Sequence, residues 1–461
     1  MRHLVLFGSL VLLSASALAE EVTVAPPAPA TSAGTPADAG NYRPAPSSER
    51  KPENSVAAGE IDLLRRTINE TTRSKSFFSL FSSPAVPIDG ELLQEADRFI
   101  QRHAGLPETA EVYHLKAQVH HRMENYPAAA LDWLMLRVVY PDSAFAIEAE
   151  KRLTELGGNQ LKKQAALLDE MARWTKSLNG DRDHRIATYL SAISGTSNEP
   201  GFAAPIVAEC AAFLVNNRSY PNEDDIEHAL ARQALLIDPQ IGIYHFDKLL
   251  ALYPDSPFRP DSLLSIANTQ RRSQHTYERA AQTFNRLIEQ YPDTAETAQG
   301  YESLAEMYDQ DMHDYPNALK TDEAIIAKYR DTPIVLRALN NMASIYQNRT
   351  NQPAKAVDSY LRIAGIFRGP EVLDALNKAE KIARYTMQDW NSALSINDRI
   401  VAHAPGSEDA AKAMFANAEI VEEHLGDKRQ ARVLYEKLIA ARPGHPLAKE
   451  AQQRIAAMDR K

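Results

Sequence analysis

The sequence predicts an all-α protein built as a solenoid of helical hairpins, and three observations predict it. From about residue 90 to the end, apolar residues recur at helical spacing, and alternation at period two is nowhere sustained. The tetrapeptide Tyr253-Pro254-Asp255-Ser256 returns as Tyr291-Pro292-Asp293-Thr294 and, more loosely, as Tyr329-Arg330-Asp331-Thr332. Phe367, Ala404 and Arg442 fill the same slot, so the marker advances by 38, 38, 38, 37 and 38 residues. Several series in one phase are the mark of a repeat whose single unit cannot bury its own apolar face.

The chain opens differently. Arg2 and His3 precede the apolar run Leu4 to Leu13, and small residues lead to Ala17-Leu18-Ala19. That run is too short to span a bilayer, so residues 1–19 read as a cleavable signal peptide. Residues 20–58 form a Pro/Ala-rich linker holding seven of the 27 prolines and almost no large apolar side chains, a composition that cannot build a core. Residues 59–89 are an N-terminal helix and loop, with Ile61, Leu64 and Ile68 on one face. They include the apolar cluster Phe77 to Phe81, expected to cap the first repeat, with a docking peptide as the alternative.

Residues 90–238 carry the pattern irregularly. Tyr126, Ala129, Trp133, Leu136 and Tyr140-Pro141-Asp142-Ser143 make a second helix and its turn, but breaks near Gly157-Gly158, Asn179-Gly180 and Gly195 to Gly201 interrupt the phase. Residues 239–461 carry it regularly. Ala280, Ala318, Ala356, Ala393 and Ala431 recur eleven residues before each marker, and Ala267, Ala305, Ala343, Glu380 and Ala418 thirteen residues before those. Small residues at both places let the two helices of a hairpin approach closely. Leu287, Ile325, Ile363, Ile400 and Leu438 fill the space between hairpins. The proline after the marker is expected to end one helix and occupy the first turn of the next.

These residues resemble the tetratricopeptide repeat (TPR) family. Tyr301, Leu304, Ala305 and Tyr308 stand at its first-helix positions, as do Leu339, Met342, Ala343 and Tyr346. Ala280, Phe284 and Pro292 match its second helix in one unit, and Ala431, Tyr435 and Pro443 in another. The period of about 38 departs from the usual 34. Longer units with a Tyr-Pro-Asp-Ser turn look like those of exported bacterial members, among them the accessory protein of the Tol-Pal system and the lipoprotein of outer-membrane barrel assembly. The resemblance implies a right-handed superhelix, with Ala267, Ala280, Phe284, Tyr291, Pro292, Ala305, Ala318, Tyr329, Ala343, Ala356, Ala393, Ala418, Ala431 and Tyr435 as structural repeat positions.

Chemistry is sparse by comparison. A formal charge of −10 argues against nucleic acid as a partner. No further run of apolar residues is long enough for a transmembrane segment. The single cysteine, Cys210, sits in an apolar stretch and reads as a buried small hydrophobe. His114, His120 and His121 read as exposed histidines of an amphipathic helix, without the glutamate of a zinc protease. Asp309, Asp311, His313 and Asp314 lack the glycine and terminal glutamate of a calcium loop and read as a solvated turn. Glu422-Glu423, and the acidic Glu302, Glu306 and Asp309 beside basic Arg271 and Arg272, read as solvated faces. No phosphate-binding glycine loop, nucleophile elbow or C-x-x-C occurs.

No catalytic residue, metal or cofactor is therefore expected. The expectation is a periplasmic, non-catalytic scaffold or adaptor of the bacterial cell envelope, holding envelope proteins or extended peptide segments in a concave groove. A scaffold component of a polysaccharide or pilus secretion complex, a peptidoglycan or glycan binder, and an enzyme with its site in residues 155–235 are the alternatives. Intact-mass measurement of the exported chain is expected to place its N-terminus at Glu20; an N-terminus retaining residues 1–19 overturns the signal-peptide reading.

Overall fold

The computed structural model describes residues 53–77, 87–218 and 220–459. The signal-peptide segment, the linker up to Pro52 and the apolar cluster from Phe78 onward lie outside the described residues. Among the described residues there are helices and turns and no strands. The first half contains α1 (Glu53–Phe77), α2 (Asp89–Arg102), α3 (Thr109–Arg122), α4 (Tyr126–Val139), α5 (Ala144–Gly158), α6 (Ala165–Trp174), α7 (Arg182–Thr196), α8 (Pro200–Asn216) and α9 (Glu223–Leu235). The second contains α10 (Pro239–Leu252), α11 (Arg259–Arg272), α12 (Tyr277–Gln290), α13 (Ala295–Glu306), α14 (Tyr315–Tyr329), α15 (Pro333–Ser344), α16 (Pro353–Ile366), α17 (Pro370–Lys381), α18 (Trp390–His403), α19 (Glu408–Glu419), α20 (Lys428–Ala441) and α21 (Pro446–Met458).

Helix α1 opens at Glu53, inside the segment read as linker. Ala57 lies one turn before Ile61 on the same buried face, so the stripe that packs on Leu92, Phe99 and Val119 extends backward past residue 59. The breaks expected near residues 157, 180 and 195–201 fall at the ends of α5, α7 and α8. Residues 161–234 contribute Leu168, Met171, Tyr189, Ile193, Phe202, Ile206, Cys210 and Phe213 to one core with Trp133.

In the second half, the two alanine series occupy the hairpin interiors. Ala267, Ala280, Ala318, Ala343, Ala356, Ala393, Ala418 and Ala431 have no exposed surface, and Ala305 almost none. Phe284 and Tyr435 are fully buried, whereas Tyr291 and Tyr329 are half-buried and Pro292 is exposed. The prolines of the marker differ from expectation: Pro254, Pro292, Pro405 and Pro443 lie in the turns, outside any helix. The next helix is started instead by a hydroxyl side chain. Ser143, Thr294 and Ser407 each accept a hydrogen bond from the backbone N–H three residues on, satisfying an otherwise orphaned donor. Other prolines, in α11, α15, α17 and α21, take the first-turn position.

The bend inside each hairpin has its own recurring geometry. The first helix widens into a π-turn at Met307–Asp311, Ile345–Arg349, Ile382–Met387 and Ile420–His424. A residue with positive φ follows each of them, His313, Asn351, Gln388 and Gly426, and His275 holds the same place after α11 without a π-turn. The next N–H then reaches back six residues, Thr276 to Gln270, Asp314 to Tyr308, Gln352 to Tyr346, Asp389 to Ala383 and Asp427 to Val421. Asp314, Asp389 and Asp427 also cap the second helix, accepting from the N–H groups of Asn317, Ser392 and Gln430.

Two substitutions test this account by urea unfolding. Phe284→Ala removes a fully buried ring and is expected to cost about 3–5 kcal/mol in its unit. Gln388→Gly relieves a side chain held at φ 54° and is expected to stabilise by about 1 kcal/mol.

Candidate functional site

Successive first helices leave a cleft between them. Between α13 and α15, over α14, it has a volume of about 240 Å³ and is lined by Glu302, Glu306, Asp322, Ile325, Arg337 and Asn341, with Ala305, Ile334 and Ala338. Glu302 and Arg337 form an ion pair across it, joining adjacent repeats. At its floor, Asn341 Nδ2 donates to Asp322 Oδ2 at 2.8 Å. Asp322 is buried, and burial pushes its pKa up to about 8, with the Asn341 bond pulling the other way. This position is Phe246, Phe284, Tyr360 or Tyr435 in other repeats, so a carboxyl group replaces an aromatic plug and opens the space. One further repeat breaks the rule with Asn397, and there the alanine opposite is replaced by Glu380. Burial pushes the Glu380 carboxyl up, with Arg384 and Asn397 opposing it.

Of the charges read as solvated faces, Arg272 is exposed, while the others are joined between repeats. Arg271 is buried and binds Glu306 at 2.8 Å and Asp311 at 2.5 Å. Arg384 reaches Glu419 at 2.8 Å, and Arg454 reaches Glu419, Glu422 and Glu423 at 3.3, 3.5 and 2.7 Å. Tyr435 Oη donates to Glu422 at 2.9 Å. An arginine at one level thus pairs with carboxylates at an adjacent level, across the spacing that the packed hairpins set. Asp309 likewise is buried on its π-turn, 3.6 Å from Arg349, and is not part of an open turn.

The histidine expectation is corrected too. Helix α3 is covered on both sides, by α2 and α4, so it has no free face for histidines. His114 is buried and accepts from Trp133 Nε1 at 3.3 Å; burial pushes its pKa down. His120 Nδ1 lies 2.6 Å from Asp132 Oδ2, and His121 is half-buried against Tyr126.

Within 155–235, Ser191 Oγ donates to Asp225 Oδ1 at 2.6 Å, and among the described residues no histidine is hydrogen-bonded to that serine. Cys210 is in the core and burial pushes its thiol up, away from thiolate chemistry. What this region does provide is one wall of a polar cleft of about 310 Å³, shared with α2 and α3. Of its side chains Asp97, Lys116 and Glu209, the last two lie 93 residues apart in sequence, and the three form no local motif. Among the described residues no cluster suited to a metal ion occurs, and no helix is long and apolar enough to cross a membrane.

Comparison with known proteins gives the same repeat. Residues 261–294, which span α11, α12 and the turn after them, match the tetratricopeptide repeat family. Among solved structures, the C-terminal part of a TPR repeat-containing protein from Cytophaga hutchinsonii is 12% identical, covering 58% of this chain and 98% of its own, with a TM-score of 0.34. Yeast Tom70 is also 12% identical, covering 88% and 96%, with a TM-score of 0.24. The Cut9–Hcn1 hetero-tetramer of APC/C gives 15% identity, 79% of each chain and a TM-score of 0.25. No curated protein sequence matches the chain.

Asp322 has a measurable signature. Its folded pKa is raised from 3.8, so between about pH 4 and pH 8 the folded chain keeps a proton that the unfolded chain has lost. Stability is therefore expected to fall as pH rises through that window. Asp322→Asn is expected to flatten this slope and to stabilise the chain at pH 8 by a few kcal/mol, on the order of the shift itself. Urea melts of both chains at pH 5 and pH 8 check it. By its hairpin geometry and its sequence, the segment 261–294 is a tetratricopeptide repeat set within an all-α repeat solenoid.

Proposed function

We propose that this chain is a non-catalytic scaffold of the bacterial cell envelope, which holds a segment of another envelope protein along its first-helix face. The observation that carries the reading is the cleft between α13 and α15. It is open, partly apolar, and carries the paired polar groups Glu302–Arg337 and Asp322–Asn341. Such a surface suits a peptide, whose backbone needs polar partners while its side chains need apolar cover. The clusters of charge elsewhere in the array are consumed by repeat-to-repeat pairing, which is the work of a rigid support.

The envelope address rests on residues 1–19, with their basic start, apolar run and Ala17-Leu18-Ala19 end. In that compartment the partner belongs to outer-membrane, cell-wall or export machinery. Residues 20–52, by their proline and alanine content, would give the folded part reach from its neighbours.

Site-specific photocrosslinking in intact cells tests both parts of the proposal. A crosslinker at Asn341 is expected to capture an envelope protein, while one at Lys320, exposed on α14, is expected to capture none. Adducts only from Lys320, or none from either position, overturn the groove reading. Capture of a polysaccharide or pilus secretion pore would assign the scaffold to that machinery, and retention on cell-wall sacculi without any protein adduct would replace the adaptor with a glycan binder.

A further inference from the structure

One slot of the second helix is filled by a ring in most repeats of the array. Phe246, Phe284 and Tyr435 occupy it with no exposed surface, and Tyr360 with little. On α14 the slot holds Asp322, and a carboxyl group stops well short of where a ring would reach. The cleft of about 240 Å³ between α13 and α15 opens over this position.

The repeat of α19 and α20 shows the slot complete. Tyr435 is fully buried there, and its hydroxyl donates at 2.9 Å to Glu422, thirteen residues earlier on the π-turn of the first helix. Thirteen residues before Asp322 stands Asp309, on the π-turn Met307–Asp311. This repeat therefore has the carboxylate that accepts and lacks the phenol that donates.

Asp309 shows the consequence. Its side chain is nine-tenths buried, yet Oδ1 accepts no hydrogen bond from any described residue. Arg349 Nε stands 3.6 Å from it, too far for a hydrogen bond. Asp322 does not serve as the missing donor, since it meets Asp309 as a like charge and is hydrogen-bonded to Asn341 instead. A buried carboxylate oxygen left without a donor is costly, and a hydroxyl brought into the slot recovers that cost.

The rest of the slot suits a ring. Ala305 on α13 and Ala338 on α15 are too small to close it, and Ile325 and Ile334 give it apolar walls. Burial keeps the proton on Asp322 at neutral pH, so the floor offers no charge to draw a cation. The volume lies below the roughly 300 Å³ at which small-molecule sites begin, which leaves room for one side chain.

We propose that the cleft between α13 and α15 takes a tyrosine side chain of the bound peptide, its ring in the slot that Phe284 and Tyr435 fill in their own repeats and its hydroxyl donating to Asp309 Oδ1. This rests on the reading of the cleft as a peptide groove and adds which residue is recognised there. Phenylalanine would fill the space but leave Asp309 without its donor, and leucine would supply neither ring nor hydroxyl.

Saturation-transfer NMR titration of the full chain with acetyl-tyrosine methylamide and its phenylalanine, leucine and lysine counterparts tests it. The tyrosine probe is expected to bind about tenfold more tightly than the phenylalanine probe, as befits a hydrogen bond to a charged acceptor, and the other two more weakly still. Asp309→Leu removes the acceptor and is expected to erase the preference for tyrosine over phenylalanine. Asp322→Tyr supplies the ring from within, as Tyr435 does in its own repeat, so it keeps the hairpin filled and is expected to abolish binding of both aromatic probes. In intact cells the same substitution is expected to remove the crosslinks formed from Asn341. Equal affinity for tyrosine and phenylalanine, tighter binding of leucine or lysine, no binding of any probe, or Asn341 crosslinks that persist in Asp322→Tyr overturns the tyrosine assignment and leaves the groove reading standing. Absence of Asn341 crosslinks from the otherwise unaltered chain overturns the groove reading, and this assignment with it.

Discussion

No hairpin of this chain can bury its apolar surface by itself; each depends on the next one. Leu287 and Ile325 are fully buried only because the following first helix lies across them. This one requirement explains why alanine recurs inside the hairpins and larger residues between them. It also explains why the ion pairs run between neighbours. Once the apolar groove sets how close two hairpins come, the arginine of one level and the carboxylate of the next are held at bonding distance, and their rotamer cost is already met by the packing.

The bend of each hairpin is the second shared solution. A π-turn followed by one left-handed residue leaves backbone groups that an ordinary helix end would orphan, and the reach of six residues from Asp314 to Tyr308 and its counterparts closes them. Side chains other than glycine accept positive φ there, at His313, Asn351 and Gln388. That geometry has a local cost, and its repetition shows that the hairpin's packing over-determines it.

How much was legible in the sequence follows from the range of the interactions. The alanine series, the marker turns and the second helix at Tyr126 were readable because each is fixed by neighbours within one repeat length. The π-turns were not, since nothing in Ile345 to Arg349 or Ile420 to His424 distinguishes a six-residue closure from a helix end. The histidines of α3 were misread because amphipathic spacing assumes one wet face, and α3 has none. Asp322 was present in the pattern as a carboxyl group in an aromatic slot, a signal visible once the series is written out. The Lys116 cluster had no such trace: its partners come from α2, α4 and α8, in the part of the chain where the phase is lost.

Glu419 is shared by Arg384 on one side and Arg454 on the other. The carboxylate therefore fastens α21 to the units before it. With Arg454 as a clasp, α21 cannot slide along α19 without breaking its pair with Glu419, so the stack resists shear as well as separation.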